Sequence, residues 1–543
     1  VGRDNEDRYS RACAEIALRL IEEEDLDRER IERIKKDVSK EFRLSKLPSN
    51  PDIAKYLSDR ILSFFEEKEE VEKRLREVRR ALKLKPVRTL SGVAVVAVMS
   101  SPARCPHGRC IPCPGGYNTP QSYTGKEPAA MRGMQHGYDP FRQVTARLKE
   151  LKEIGHDTEK VEIIVMGGTF PAREKDYKDD FILNIYNALN SFGKRRRVQS
   201  KSIEGAKKLN EHAKARCVGL TFETRPDYAG KKEIKEMLDY GGTKVELGVQ
   251  SVDDRILQKI KRGHGVKEVV EATRLLKDAA FKVGYHTMPG LPGSDFKKDL
   301  ENFKKIFEDP GFKPDYLKIY PTLVVEGTEL YEMYKKGEYR PYTTEEVAEL
   351  IAEAKRHFPV WVRVQRIQRD IPVKYAIGLD RGNLRQIVHS KMREKGWKCR
   401  CIRCREVGHA GIKDIESLIS ESEVVVRDYE ASNGTEKFIS FENKNEDLLF
   451  AFIRLREGNP YFKEIENHAL IRELHVYGEV LPVGVRDSSA VQHRGIGEWL
   501  LKTAEELAKE NFDRIAVISG VGAREYYRRH GYRRKGNYMV KRI

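Results

Sequence analysis

Cys105-Pro-His-Gly-Arg-Cys110-Ile-Pro-Cys113, followed by Pro114-Gly115-Gly116, decides how the rest of the chain is read. Three cysteines separated by four and two residues come directly after an apolar, β-branched run, Val93–Val98. Thiolates at this spacing ligate three irons of a [4Fe–4S] cluster and leave the fourth iron for an exogenous ligand. Zinc and plain buried thiols are the competing readings. Zinc sites close with four protein ligands and favour CxxC pairs. No fourth cysteine follows closely, although His107 lies inside the loop.

Outward from this loop, strand-like runs alternate with helical segments. The runs are 93–98, Val161–Met166, Cys217–Phe222, Lys244–Gln250, Phe281–Thr287 and Asp315–Tyr320. Such alternation predicts parallel strands joined by right-handed crossovers, here a partial (β/α)6 barrel with its chemistry at the C-terminal strand ends. Each distinctive motif follows a strand. The cysteine loop follows the first, Gly167-Gly168-Thr169 the second and Glu223-Thr224-Arg225-Pro226 the third. Gln250-Ser251 ends the fourth, and Met288-Pro-Gly-Leu-Pro-Gly293 follows the fifth. Lys318 interrupts the apolar run Leu317-Lys-Ile-Tyr and is costly to bury unless paired or functional. It is read as pointing into the barrel mouth, with a solvent-facing position as the alternative.

Residues 1–85 read as helical, with one apolar face at Ile16, Leu20 and Ile21 and another at Ile31, Ile34 and Val38. Near their end Lys73, Arg74, Arg76, Arg79, Arg80, Lys83 and Lys85 face only Glu77 among acids. That is either a solvated helix face or a phosphate-contacting one. The formal net charge of +17 favours a polyanionic partner, with nucleic acid first. A basic stretch, 381–421, carries Cys399-Arg-Cys401-Ile-Arg-Cys404 with His409 five residues on. Four soft or borderline ligands in so short a span suit a closed structural zinc site, with His389 as the competing fourth ligand. A second iron–sulfur cluster is the rival.

From about Ser422 the pattern turns to antiparallel sheet. Gln492-His493-Arg494-Gly495-Ile496-Gly497 then opens an amphipathic helix. Such a turn presents backbone N–H groups and the helix dipole to a pyrophosphate. Six of the eight cysteines fall in the two tight groups, which reads as metal binding in a cytosolic protein. No run of eighteen apolar residues exists and the first residues lack an apolar signal core, so a cytoplasmic protein with no membrane segment is expected. A chain that begins with Val1 also implies a trimmed N-terminus.

Residues 86–380 resemble a radical S-adenosylmethionine domain, and 422–543 resemble the GCN5-related N-acetyltransferase fold. Together they resemble the family of Elongator catalytic subunits, in its archaeal or bacterial type. The strings that carry this are Cys105/Cys110/Cys113, Met166-Gly-Gly-Thr-Phe170, Phe222-Glu-Thr-Arg-Pro-Asp227, Lys318-Ile-Tyr-Pro-Thr322 and Arg369-Asp-Ile-Pro372. Arg472-Glu-Leu-His-Val-Tyr-Gly478 and Ala516-Val-Ile-Ser-Gly-Val-Gly522 complete the set. The resemblance implies a [4Fe–4S] cluster on the first cysteine trio. It implies S-adenosylmethionine against Gly167, Gly168, Glu223, Arg225 and Gln250, and acetyl-coenzyme A on 492–497 with Tyr526. Tyr527 would protonate the leaving thiolate, and Lys318 would act in the barrel mouth.

The reaction implied is conversion of the wobble uridine of tRNA to a 5-carboxymethyl form, on the anticodon stem-loop. An electron donor is needed, and a homodimer or accessory subunits are compatible with the family. The rival from another class is a protein lysine acetyltransferase with Glu473 as base and a merely structural cluster domain. A non-catalytic tRNA-binding scaffold is the third reading.

Overall fold

The computed structural model describes residues 2–23, 26–57, 68–83, 92–116, 118–409, 415–477 and 495–543. The chain divides into two compact units, residues 1–89 with 146–158 and residues 90–145 with 159–543.

In the first unit the helices α1 (Gly2–Glu22), α2 (Arg28–Glu41), α3 (Asn50–Ala54) and α4 (Lys68–Leu82) share one apolar core. Asp27 starts α2 by accepting a hydrogen bond from the Arg30 N–H, a side-chain cap on an otherwise orphan donor. Ile31, Ile34 and Val38 then fall on one buried face, against Ile16, Leu20 and Ile21 of α1. Part of the basic end of α4 is used internally. Arg74 donates to the Ile21 carbonyl and pairs with Glu77, and Arg79 donates to the Leu57 carbonyl.

The second unit holds two seven-stranded sheets. In the first, β1 (Ala94–Met99), β2 (Lys160–Met166), β3 (Arg216–Thr224), β4 (Lys244–Gln250), β5 (Lys282–Thr287), β6 (Tyr316–Ile319) and β7 (Arg363–Ile367) pair in sequence order. All six pairings are parallel. The partial barrel expected from the sequence is therefore present, with a seventh strand beyond the six runs. Arg363, Gln365 and Arg366 hide β7 as an apolar run, and the strand buries mainly Val364 and Ile367.

The second sheet runs β13-β14-β12-β11-β10-β9-β8. Its strands are β8 (Glu423–Ala431), β9 (Gly434–Asn443), β10 (Leu448–Glu457), β11 (Ala469–Val476), β12 (Arg514–Val517), β13 (Arg533–Lys535) and β14 (Tyr538–Arg542). The pairs are antiparallel except β11 with β12, which are parallel because the helix Ile496–Lys509 makes the crossover. That helix buries Ile496, Leu500, Leu501, Ala504 and Ala508 in the core it shares with this sheet.

The two sheets meet through a buried ionic seam. Arg472 of β11 donates to both carboxylate oxygens of Asp315, each at 2.7 Å, and to Glu436 at 2.6 Å. Arg456 holds Asp278 at 2.6 Å and Glu436 at 3.2 Å. Arg454 pairs with Glu473 at 2.9 Å. Glycine makes the docking possible nearby: a Cβ on Gly520 would stand 2.0 Å from the Val218 carbonyl oxygen, and one on Gly522 would stand 2.5 Å from the Arg216 Cβ.

The basic stretch drawn as a linker is stitched to both sheets. The Ile402 N–H donates to the Val362 carbonyl at 2.9 Å, and Glu406 bridges to Leu449 of β10. The helix Leu384–Glu394 packs on the helix Thr344–Lys355. Among the described residues no helix is long and apolar enough to cross a membrane.

Candidate functional site

At the C-terminal ends of the barrel strands a cavity opens between the cysteine loop and the loops after β2, β3, β4 and β7. Cys105, Cys110 and Cys113 line one side, with Gly168, Thr224 and Gln250 beside them. Gly167 has φ +125° and its Cβ would lie 2.1 Å from the Ser100 Oγ, so only glycine fits. Gly168 has φ +91° and nothing within 4 Å of where a Cβ would be. This is backbone exposed for close approach. Gln250 adopts a left-handed φ of +69°, an uncommon conformation for a residue with a Cβ. Its side-chain oxygen and the Thr224 hydroxyl are buried without partners. Orphaned polar atoms on a cavity wall, next to bare backbone, fit a polar ligand such as S-adenosylmethionine.

The two cysteine groups differ in geometry. Among the described residues, the sets of three ligand atoms lying within 4.8 Å of one another are Cys399/Cys401/Cys404 and Glu223/Glu246/His286. A single tetrahedral ion with Zn–S near 2.3 Å holds its sulfurs about 3.8 Å apart. The 399–404 trio fits one ion. Cys105, Cys110 and Cys113 do not form such a set, and the ligands of a polynuclear cluster need not converge on one point. Burial raises the Cys105 thiol and pushes Cys113 up to about 11. Metal loading there therefore expels protons.

Deeper in the cavity lies a polar floor. Glu223 accepts from the Tyr123 hydroxyl at 3.0 Å and from the Lys318 ammonium at 3.3 Å. Glu246 accepts from Lys318 and, at 3.0 Å, from the His286 Nε2, and it pairs with Lys244 at 3.4 Å. These cations hold the Glu246 carboxyl well below the usual range in spite of its desolvation. Lys318 occupies the place a metal would take between Glu223 and Glu246. It is 9% exposed and does not line the cavity. Its ammonium reaches the cavity-lining carboxylates of Glu223 and Glu246 from beneath the floor, so the side chain points into the barrel and not to solvent.

Arg225 is spent on Asp227, at 2.9 Å through both nitrogens, and on the Arg262 carbonyl at 2.8 Å. Arg366 and Arg369 close the cavity on the β7 side. Tyr123, Glu246, His286 and Arg262 were not among the residues singled out from the sequence. Lys244 and Glu246 were legible in the same way as Lys318, as charges in an otherwise apolar strand. The segment Ile260-Lys-Arg-Gly-His264 carries no comparable signal.

His264 is buried between Arg262 and the Gly248 carbonyl, and desolvation followed by the Arg262 charge lowers it to about 4. A folded pKa below the unfolded value of about 6.5 contributes stability that is complete above pH 6.5 and lost as pH falls through 4. His264→Gln is expected to flatten the stability-against-pH curve between those values by roughly 1–3 kcal/mol. Urea unfolding at pH 7, 5.5 and 4.5 measures it. An unchanged slope would show that His264 does not titrate in this range.

In the second domain Gly495 caps the helix Ile496–Lys509 with φ +76°, and nothing lies within 4 Å of its Cβ position. The Tyr526 hydroxyl is buried without a partner among the described residues and would stand 3.1 Å from a Cβ on Gly497. A helix N-terminus beside a hydroxyl that has no partner among the described residues fits a pyrophosphate-bearing cofactor such as acetyl-coenzyme A. Gln492, His493 and Arg494 lie outside the described residues. Tyr527 is 7% exposed and packs edge-on to Tyr526 and Tyr532. Glu473 is not free to act as the base assigned to it. Its carboxylate takes the Tyr316 hydroxyl and the Arg454 guanidinium, within the seam.

At the second cysteine group Lys355, fully buried, donates to the Cys404 Sγ at 3.6 Å. Hydrogen bonds from Cys399 and Cys404 hold Cys401 well below the usual thiol range. Among the described residues the His389 Nε2 is buried without a partner and does not join the set of three sulfurs. The side chain of His409 lies outside the described residues.

Comparison with known proteins places these sites in context. The Radical SAM superfamily model matches residues 99–305, the Radical_SAM C-terminal domain 314–394 and the ELP3 N-terminal domain 9–90. The chain is similar to the tRNA uridine(34) acetyltransferase of Methanocaldococcus infernus, 50% identical over 95% of this chain and 96% of that protein. It is also similar to human Elongator complex protein 3, 46% identical over 85% of this chain and 86% of that protein. Among solved structures, the archaeal Methanocaldococcus infernus Elp3 with an N-terminal deletion matches at 48% identity and a TM-score of 0.73, covering 83% of this chain and 99% of that one. With a cysteine-lined half-barrel and an acetyltransferase-like sheet joined in one unit, the chain belongs to the radical S-adenosylmethionine family of Elongator complex protein 3 and the tRNA uridine(34) acetyltransferases.

Proposed function

We propose that this protein modifies the wobble uridine of tRNA at carbon 5, joining to it the methyl carbon of an acetyl group from acetyl-coenzyme A, and that thioester hydrolysis gives 5-carboxymethyluridine. The observation that carries this is the pairing of two cradles in one chain. One has three cysteines lining a cavity beside the Gly167–Gly168 backbone, the other the N-terminus of the helix Ile496–Lys509 beside the Tyr526 hydroxyl.

When bound at the first cradle, the cluster and S-adenosylmethionine supply one-electron chemistry that takes a hydrogen atom from the acetyl methyl. Carbon 5 of uracil resists ordinary acyl transfer, whereas a carbon radical adds across its double bond; the adduct would then lose one electron, returned to the cluster, and its C5 proton to a base, which restores the ring double bond. The chain's own part is to bind and orient. Glu223 and Glu246, both paired with Lys318, present acceptors on the cavity floor, and Arg366 and Arg369 present donors opposite them. Tyr527, or Tyr526 at the cofactor turn, is the general acid for the leaving thiolate. Burial pushes Tyr526 up to about 12, so its hydroxyl holds its proton at neutral pH.

The net charge of +17 supports a tRNA partner bound through its phosphates. The anticodon base would be splayed into the cavity. Engagement of Glu473 in the seam counts against the lysine acetyltransferase reading.

The test is anaerobic incubation with S-adenosylmethionine, acetyl-coenzyme A, a reductant and unmodified tRNA, followed by nucleoside mass spectrometry. Carboxymethyluridine at position 34 is the expected product. Unchanged uridine, with iron and cofactors bound, would refute the proposal.

A structural zinc ion on Cys399, Cys401 and Cys404 belongs to the same reading, with His389 or His409 as fourth ligand. Cys401→Ala should reduce zinc from about one per chain to near zero and lower the thermal midpoint. Equal zinc in the variant and the parent protein would remove the site.

A further inference from the structure

The segment Ile260-Lys-Arg-Gly-His264, between β4 and β5, is built against the cysteine loop at several points. The Ile111 N–H donates to the Ile260 carbonyl at 3.0 Å. Gly263, with φ +77°, lies so close to His107 that a Cβ would stand 2.8 Å from the His107 Cβ. Between these contacts Arg262 extends under the loop. Its Nη1 donates to the Cys110 Sγ at 3.7 Å and its Nε to the His264 Nε2 at 3.1 Å, while Nη2 is anchored on the Gly248 carbonyl. Its own carbonyl is held by Arg225 at 2.8 Å. All three guanidinium nitrogens are thus committed, and one is committed to sulfur.

We propose that Arg262 tunes the reduction potential of the cluster held by Cys105, Cys110 and Cys113, by placing a permanent positive charge and an N–H donor on the Cys110 sulfur. This rests on the cluster reading of that loop. A reduced cluster carries one more negative charge than an oxidised one. A fixed cation and an N–H···S bond at a ligating sulfur stabilise the reduced form more, which raises the potential. Guanidinium suits the role because it stays charged at any pH the protein meets and offers a rigid fork, so the charge cannot drift off the sulfur. His107 also touches this sulfur, its Nε2 at 3.1 Å. Arg262 differs in carrying its charge in every protonation state of the loop. Arg262 does not touch the reacting carbon in this account. It acts through Cys110, so its signature is a potential rather than a rate alone.

The experiment is an electron paramagnetic resonance-monitored redox titration of reconstituted protein without S-adenosylmethionine, with iron and sulfide measured on the same samples. Arg262→Gln keeps a donor and removes the charge. It should hold the same iron per chain and titrate at a more negative potential than the parent protein. Arg262→Lys keeps the charge on a single ammonium and is expected between the two. A Gln variant that titrates at or above the parent potential would overturn the proposal. Should the Gln variant hold no iron, Arg262→Met, which keeps the stem and removes the charge, decides, and a Met potential equal to or above the parent value is the overturning result. Parent protein that assembles no cluster would refute the cluster reading itself, a failure distinct from an unchanged potential.

Discussion

Cys110→Ala is expected to abolish 5′-deoxyadenosine formation, a fall of at least about a thousandfold, because three thiolates are the minimum protein ligation for a cluster with an open iron. The reason to choose Cys110 is its position. It is 9% exposed, at the centre of the loop, with Ile111 tied to Ile260 on one side and to Leu330 on the other. Alanine there removes a ligand without removing those backbone bonds, so the fold and tRNA affinity should persist within a few-fold. Chromatographic quantification of 5′-deoxyadenosine after anaerobic reduction is the measurement, with tRNA gel shifts alongside. Parent-level cofactor cleavage by the variant would mean that the loop is not the cluster site.

Arg472→Met should cost about 3–5 kcal/mol of stability, the range for breaking a buried ion pair by removing one partner. Arg472 is fully buried and satisfies Asp315 and Glu436 together with the Phe281 carbonyl. Methionine fills similar volume, so the loss comes mainly from two carboxylates left without their shared cation. Replacing a whole buried network with apolar residues can be neutral, so the effect belongs to the orphaned charges and not to the intrinsic worth of the pairs. Chemical denaturation read by tryptophan fluorescence tests it, since Trp361 stacks on Tyr429 of the second sheet at 4.0 Å. A loss under about 1 kcal/mol would show that water reaches Asp315 and Glu436.

The seam also shows where the sequence was mute. Arg472-Glu473 and Gly520-Val-Gly522 stood out as family strings, and both invite a catalytic or cofactor-binding reading. The structure uses them to join two sheets. Period-2 patterning says that Glu473 and Arg454 are charges within apolar strands, but not that each waits for the other and for Asp315, more than a hundred residues away. Lys318 is a similar case: its cost of burial was readable, its two carboxylate partners were not. By contrast the cysteine loop, the Gly167–Gly168 turn and Gly495 were legible because their requirements are local. Spacing fixes which sulfurs can share a cluster, and a positive φ favours glycine whatever surrounds it. The strand β7 was missed because Arg363 and Arg366, which pair with Glu406 and Asp370, break its apolar pattern.

The central claim is that an acetyl methyl carbon becomes bonded to carbon 5 of the wobble uridine after losing one hydrogen atom to the deoxyadenosyl group. Acetyl-coenzyme A carrying a trideuterated methyl tests this most directly, with unmodified tRNA and both products analysed by mass spectrometry. One deuterium in 5′-deoxyadenosine and two in the carboxymethyl group of the modified uridine are predicted. Unlabelled 5′-deoxyadenosine together with a trideuterated acetyl group on tRNA or on a protein lysine would contradict it.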